Sequence, residues 1–223
     1  MGKNYTFHVG KKFNEDGSFR KYPGLTVISK VKINTFESNI LKECQQYFME
    51  LPFANKFSFL PQNSLHMTVF ELVNDQARIP EIWSKYLHLE TPMNEVDNFI
   101  TKVWNNIEKP ERIKMRITGC KVASVIVISL EPYTSEDYES LKDFRDITSE
   151  KTGVRKPNHD EYKYHISFAY KLEELDDEEN LLVNGIIGAI NERLLKDISY
   201  IELKSPELCF YNDMSSFLPI IER

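Results

Sequence analysis

The sequence predicts an α+β fold of two lobes built on one plan, and two observations carry that prediction. Strand, helix, strand is the order over about 25–73, and the same order returns over about 122–172. Each half also sets one histidine two residues before a hydroxyl in its second strand: "HMT" at 66–68 and "HIS" at 165–167. Strand–helix–strand also arises by chance, and identity between the halves is negligible, so the motifs give the duplication its weight.

The elements follow in order. Residues 1–23 are polar, with turn signals at Glu15-Asp16-Gly17 and Pro23-Gly24, and read as an N-terminal arm or hairpin. "LTVISKVKI" (25–33) is rich in β-branched residues and reads as a strand. In 36–51, Phe36, Ile40, Leu41, Cys44, Tyr47, Phe48 and Leu51 recur at helical spacing, and Pro52 ends the helix. "SLHMTVFELV" (64–73) is the next strand. The segment 77–109 reads as two helical pieces broken near Thr91-Pro92. Strands follow at 111–122 and 122–132. A helix over 135–153 has Ser135 as candidate N-cap, an acidic first turn and Gly153 just past its end. "EYKYHISFAYKL" (161–172) is a strand, 175–198 is a helix with an acidic start, and two further strands fit 199–211 around Pro206.

Composition narrows the function. The 223 residues suit one domain of two lobes, with ordinary apolar (41%) and charged (28%) fractions for a globular protein. The net charge of −6 argues against a broad electrostatic track along nucleic acid, but leaves a small phosphorylated ligand in a local pocket open. Cys44, Cys120 and Cys209 are odd in number and widely spaced, so neither a disulfide framework nor a zinc ribbon is indicated, and reduced thiols in a cytoplasmic protein are expected. The N-terminus lacks an apolar signal region, and no run reaches the roughly 20 apolar residues of a membrane helix. Gly2 and Thr6 fit only the loose N-myristoylation pattern.

The paired motifs carry chemistry. Residues i and i+2 of a strand share a face, so His66 joins Thr68 and His165 joins Ser167. Met67, Val69, Ile166 and Phe168 point the other way and would pack under helices, leaving the polar faces to meet in a cleft. There, one neutral imidazole takes a proton from an attacking water and the other, protonated, gives one to a leaving oxygen. The hydroxyls hydrogen-bond the non-bridging oxygens of a phosphate. No metal or other cofactor is required. Against this stands the commoner fate of a strand histidine, a satisfied structural residue.

The paired motifs resemble the 2H phosphoesterase superfamily, which includes the LigT-like RNA 2′,3′-cyclic phosphodiesterases. "VGKKFNEDGSFRKYPGLTVI" (9–28) and "PNHDEYKYHISFAY" (157–170) are similar to a bacterial and fungal subgroup catalogued as a domain of unknown function. The resemblance implies a single bilobal LigT-like α+β domain: two pseudo-symmetric lobes, each an antiparallel sheet with helices on its outer face, around a central cleft. The arm would span 1–23, the first half about 24–110, and the second half about 111–223. His66 and His165 would be the acid–base pair, and Thr68 and Ser167 the phosphate binders. The expected reaction is metal-independent hydrolysis of a 2′,3′-cyclic phosphate or a similar small nucleotide or RNA-end phosphodiester.

Other residues are candidates for substrate contact. Phe70 continues the His66–Thr68 face and could stack on a base or fill the cleft floor. Tyr162 and Tyr164 face away from His165 by alternation, unless a bulge re-aims them. Thr26 lies in the strand before His66. Lys11, Lys12, Arg20, Arg155 and Lys156 could draw in phosphate or simply be solvated. His159-Asp160 has no third metal ligand at recognisable spacing. Two rival readings remain: a non-catalytic nucleotide or RNA-end binding module using the same cleft, and a structural α+β protein whose histidines merely pack.

Overall fold

The structure, a computed structural model, describes residues 3–220; Gly2 lies outside them. One antiparallel sheet runs through the molecule. Its strands are β1 (Gly24–Lys30), β2 (Phe57–Phe59), β3 (His66–Asn74), β4 (Arg112–Val122), β5 (Val125–Pro132), β6 (His165–Lys171), β7 (Ile201–Lys204), β8 (Glu207–Tyr211) and β9 (Leu218–Pro219). The spatial order is β7-β4-β5-β6-β3-β1-β8-β9, with β2 added to β6. The two motif strands β3 and β6 are neighbours at its centre, joined through the pair Met67–Ile166. On one side of this seam β1 precedes β3, and on the other β5 precedes β6, which is the predicted two-lobed plan. Val31, just past β1, bridges Leu203 of β7, so the sheet curls.

Four helices cover its apolar surface: α1 (Phe36–Met49), α2 (Met93–Trp104), α3 (Ser135–Thr152) and α4 (Asp177–Asp197). Three begin with reciprocal caps, Thr35 with Ser38, Thr134 with Asp137, and Asp176 with Glu179, so the α3 cap is Thr134 rather than Ser135. Gly153 ends α3 at φ 73°, where a Cβ would stand 2.6 Å from the Tyr86 ring. Met67, Val69, Ile166 and Phe168 are fully buried, as strand alternation requires of the residues between the motif positions.

Three expectations about the elements need correction. Of the segment 77–91, only Pro80–Ile82 forms a single 3-10 turn. Arg78 holds its return, donating to the Leu89 and Thr91 carbonyls. β6 begins at His165, so 161–164 is not strand. β7 stays in the second lobe beside β4, but β8 and β9 leave the second half of the chain and return to the first lobe, where β8 pairs with β1.

The N-terminal arm is folded onto the rest. The Thr6 hydroxyl donates to the Lys171 carbonyl, and the Ser58 hydroxyl to that of Gly17. Phe13 anchors a small apolar cluster with Tyr22, Leu60, Leu172 and Met214. Among the described residues no helix is long and apolar enough to cross a membrane.

Candidate active site

The seam between β3 and β6 forms the floor of a cleft of about 330 Å³. Counting one residue along each antiparallel strand from the Met67–Ile166 pair sets His66 opposite Ser167 and Thr68 opposite His165. The two histidines are then diagonal neighbours, a relation that separates strand positions by roughly 7–8 Å. All four side chains line the cleft and are partly buried.

Both imidazoles are held alike. His66 Nδ1 lies 2.7 Å from the Ser64 carbonyl, and His165 Nδ1 lies 2.9 Å from the Lys163 carbonyl. A carbonyl only accepts, so each Nδ1 carries the hydrogen and each Nε2 is left for a ligand. Their surroundings differ. The Phe217 ring sits 4.4 Å from that of His66, centre to centre, at 58°. Burial, with lesser contributions from His165 and Lys30 and against the Ser64 hydrogen bond, lowers the His66 pKa to about 4.

The N-terminal arm closes one wall of the cleft with Lys11, Lys12 and Tyr22, and the segment after β8 closes another with Met214 and Phe217. Lys12 lies 4.7 Å from the centre of the Tyr170 ring. Burial lowers its pKa to about 8, helped by Lys11 and Lys156 and opposed by Glu71. Lys156 also lines the cleft, 2.7 Å from Glu71. Burial would raise the Glu71 carboxyl, but Lys156, Lys12 and His165 outweigh it and hold the group below its usual range.

Glu71 faces the cleft because β3 carries a bulge. Val27 pairs with Phe70 and Ile28 with Thr68, so Val69 is one residue too many and the alternation shifts after it. Phe70 therefore does not continue the His66–Thr68 face. It is 2% exposed in the core, with its ring 5.7 Å from that of His159, away from the cleft walls. Arg145 of α3 fixes the bulge: Nη1 donates to the Val69 carbonyl at 2.5 Å and Nη2 to the His159 carbonyl at 2.7 Å.

Thr26 is buried and borders the cleft, its hydroxyl donating to the Phe70 carbonyl at 3.3 Å. Tyr162 also borders the cleft, its ring 4.6 Å from the Arg145 guanidinium; it precedes β6, so strand alternation does not govern it. Tyr164 packs against Tyr162 and lines outer grooves instead. Arg20 bonds Asn14 in the arm, and Arg155 bridges Asp146 and Asp160.

Asp146 supplies the third group that sequence spacing did not reveal beside His159-Asp160. Ligating atoms of the three fall within 4.8 Å of one another. Arg155 already pairs both carboxylates, and Lys142 pairs Asp146, so cations of the chain itself occupy these acids.

Comparison with known proteins adds to this geometry. A family model described as "2H-phosphodiest", a domain of unknown function (DUF1868), matches residues 12–126, a span that contains the first motif and ends before the second. The uncharacterized protein 127L of Invertebrate iridescent virus 6 is 24% identical over 227 residues, covering 94% of each chain. The crystal structure of the conserved protein of unknown function ATU0111 from Agrobacterium tumefaciens strain C58 is 26% identical. It superposes with a TM-score of 0.90 over 98% of this chain and 93% of that one. A protein described as a phosphoesterase shares the fold at a TM-score of 0.50 and 10% identity, over 90% of this chain and 96% of that one.

Proposed function

The chain belongs to the 2H-phosphodiest (DUF1868) family and with it to the 2H phosphoesterase superfamily, and on that premise we propose that it is a metal-independent phosphodiesterase. Its substrate is a 2′,3′-cyclic phosphate or a similar small phosphodiester of a nucleotide or RNA end. Membership supports a phosphoesterase in general terms. The observation that carries the finer reading is the matched pair of imidazoles. Each is pinned through Nδ1 to the carbonyl two residues earlier, and each borders one cleft.

The substrate phosphate lies between His66 and His165. Thr68 and Ser167 donate hydrogen bonds to its non-bridging oxygens, and Lys12 and Lys156 balance its charge. Burial keeps His66 neutral, which makes its Nε2 the base that takes a proton from water. Water oxygen bonds to phosphorus, the opposite P–O bond breaks, and His165 Nε2 hands its proton to the departing oxygen. The bound anion favours the charged form of His66, which helps it hold the proton it takes. The one carboxylate among the lining residues, Glu71, is paired with Lys156, so the cleft offers few oxygen ligands to a hard cation such as Mg2+ or Ca2+.

The test is hydrolysis of the four nucleoside 2′,3′-cyclic monophosphates in EDTA by wild type, His66→Ala and His165→Ala. Turnover that EDTA spares and both substitutions abolish is expected, and the product isomer identifies the broken bond. Turnover that survives either substitution would sink the two-histidine mechanism. A folded wild type that binds these nucleotides without turning them over would favour a binding module instead.

A further inference from the structure

The bulge in β3 turns one more side chain into the cleft than the paired motifs need. Glu71 is the one carboxylate among the lining residues, beside Lys11, Lys12 and Lys156. Its position is built: Val69 is the extra residue, and the buried Arg145 guanidinium grips the Val69 carbonyl. Its charge is also maintained, because Lys156 lies 2.7 Å away. A carboxylate facing a phosphate site opposes the ligand that the lysines attract.

Resting on the phosphodiesterase reading, we propose that Glu71 sets the ligand charge the cleft accepts, favouring phosphodiesters over phosphomonoesters. A diester carries one negative charge, and a monoester near pH 7.5 carries close to two. Repulsion from Glu71 acts on each unit of ligand charge, so the monoester bears about twice the penalty. Hydrolysis of a diester adds that second charge, and Glu71 then opposes rebinding of the product. The Glu71 side chain is 45% exposed, so solvent screens the effect to a factor of about three to ten.

Glu71→Gln removes the charge and keeps an oxygen that Lys156 can bond. The probes are adenosine 3′-monophosphate and adenosine 2′,3′-cyclic monophosphate, titrated calorimetrically at pH 7.5 into His66→Ala protein with and without Glu71→Gln. The expected result is that Glu71→Gln tightens the monoester about threefold to tenfold more than the diester, and that added salt closes the gap. Equal tightening of both, no change in either, or a weakened diester overturns the proposal, the last by marking Glu71 as a hydrogen-bond acceptor for the substrate. Lys156→Met serves as the mirror variant and is expected to loosen the monoester more. If Glu71→Gln fails to fold, Glu71→Ala in the same background decides, and equal tightening of both ligands overturns the proposal. If wild type turns over no cyclic nucleotide yet the charge-dependent gap is present, the hydrolytic reading fails and this inference stands. If neither nucleotide binds, both fall.

Discussion

Replacing Arg145 with methionine tests how the bulge is held. Arg145 is 5% exposed, and methionine keeps much of its stem while removing every donor. Two buried carbonyls, Val69 at 2.5 Å and His159 at 2.7 Å, would lose their charged partner. Each hydrogen bond to a charged group contributes about 1.5–3 kcal/mol, and an unpaired buried carbonyl costs about 1–3 kcal/mol. The guanidinium also lies 4.6 Å from the Tyr162 ring and 5.6 Å from those of Phe70 and Tyr164, contacts that add on the order of 1 kcal/mol when desolvated. Relief from burying a charge offsets part of this loss. A net destabilisation of about 3 kcal/mol follows, read as a lower urea midpoint at unchanged slope. Arg145→Lys keeps the charge but cannot reach both carbonyls with a planar fork, and should fall between the two. A loss below about 1 kcal/mol for Arg145→Met would refute the claim that this guanidinium satisfies the bulge.

Four further predictions follow from other contacts. Gln45 is fully buried and its Nε2 donates to the Leu60 and Phe168 carbonyls, each at 2.9 Å, so Gln45→Leu should cost about 1–3 kcal/mol by urea unfolding. A Cβ on Gly24 would meet the Tyr211 hydroxyl at 2.5 Å and the Val73 carbonyl at 2.6 Å, so Gly24→Ala should lower the thermal midpoint and shift the Tyr211 ring resonances. Phe217→Ala should admit water to His66 and move its NMR titration from about 4 toward the ordinary 6.5, and a midpoint left near 4 would show that the ring does not exclude water from it. The same group sets a pH dependence of stability. His66 takes its proton more readily unfolded than folded, so its contribution is complete above 6.5 and is lost as pH falls toward 4; His66→Gln should flatten that part of the urea-midpoint profile.

What the sequence made legible was periodic. The alternation that set Met67, Val69, Ile166 and Phe168 against the helices held, because a buried sheet face punishes any register slip. Val69 is where counting failed. A bulge leaves no mark in a run such as "MTVFE", since valine and phenylalanine suit the core whichever of them is doubled. Strand alternation alone therefore carries Phe70 onto the His66–Thr68 face, and the bulge takes it off. Tyr162 lies outside β6, where strand alternation has no hold. The 77–91 segment has helix-forming residues, but Pro80 and the grip of Arg78 on two distant carbonyls prevail, and neither contact has a local signature. Phe217 and the arm lysines reach the cleft through long-range folding of both chain ends, which no window of sequence encodes. Nothing in the sequence separates the cleft lysines from solvated ones, and nothing local marks Phe217 as a cleft residue.

These non-periodic parts give the cleft its asymmetry. The motifs are related by the approximate two-fold at the Met67–Ile166 pair, and each imidazole has the same carbonyl partner, two residues before it. In the proposed mechanism, motif symmetry alone therefore cannot decide which ring gives a proton and which takes one. The decision falls to segments outside the strand–helix–strand plan. The chain after β8 returns to the first lobe and sets Phe217 against His66, and burial there favours the neutral ring. On the other side the extra residue in β3 brings the Glu71 carboxylate near enough for its charge and that of His165 to interact. A dry apolar wall destabilises an imidazolium. In the phosphodiesterase proposed above, the wall at His66 favours the base role for that ring and leaves His165 to give the proton.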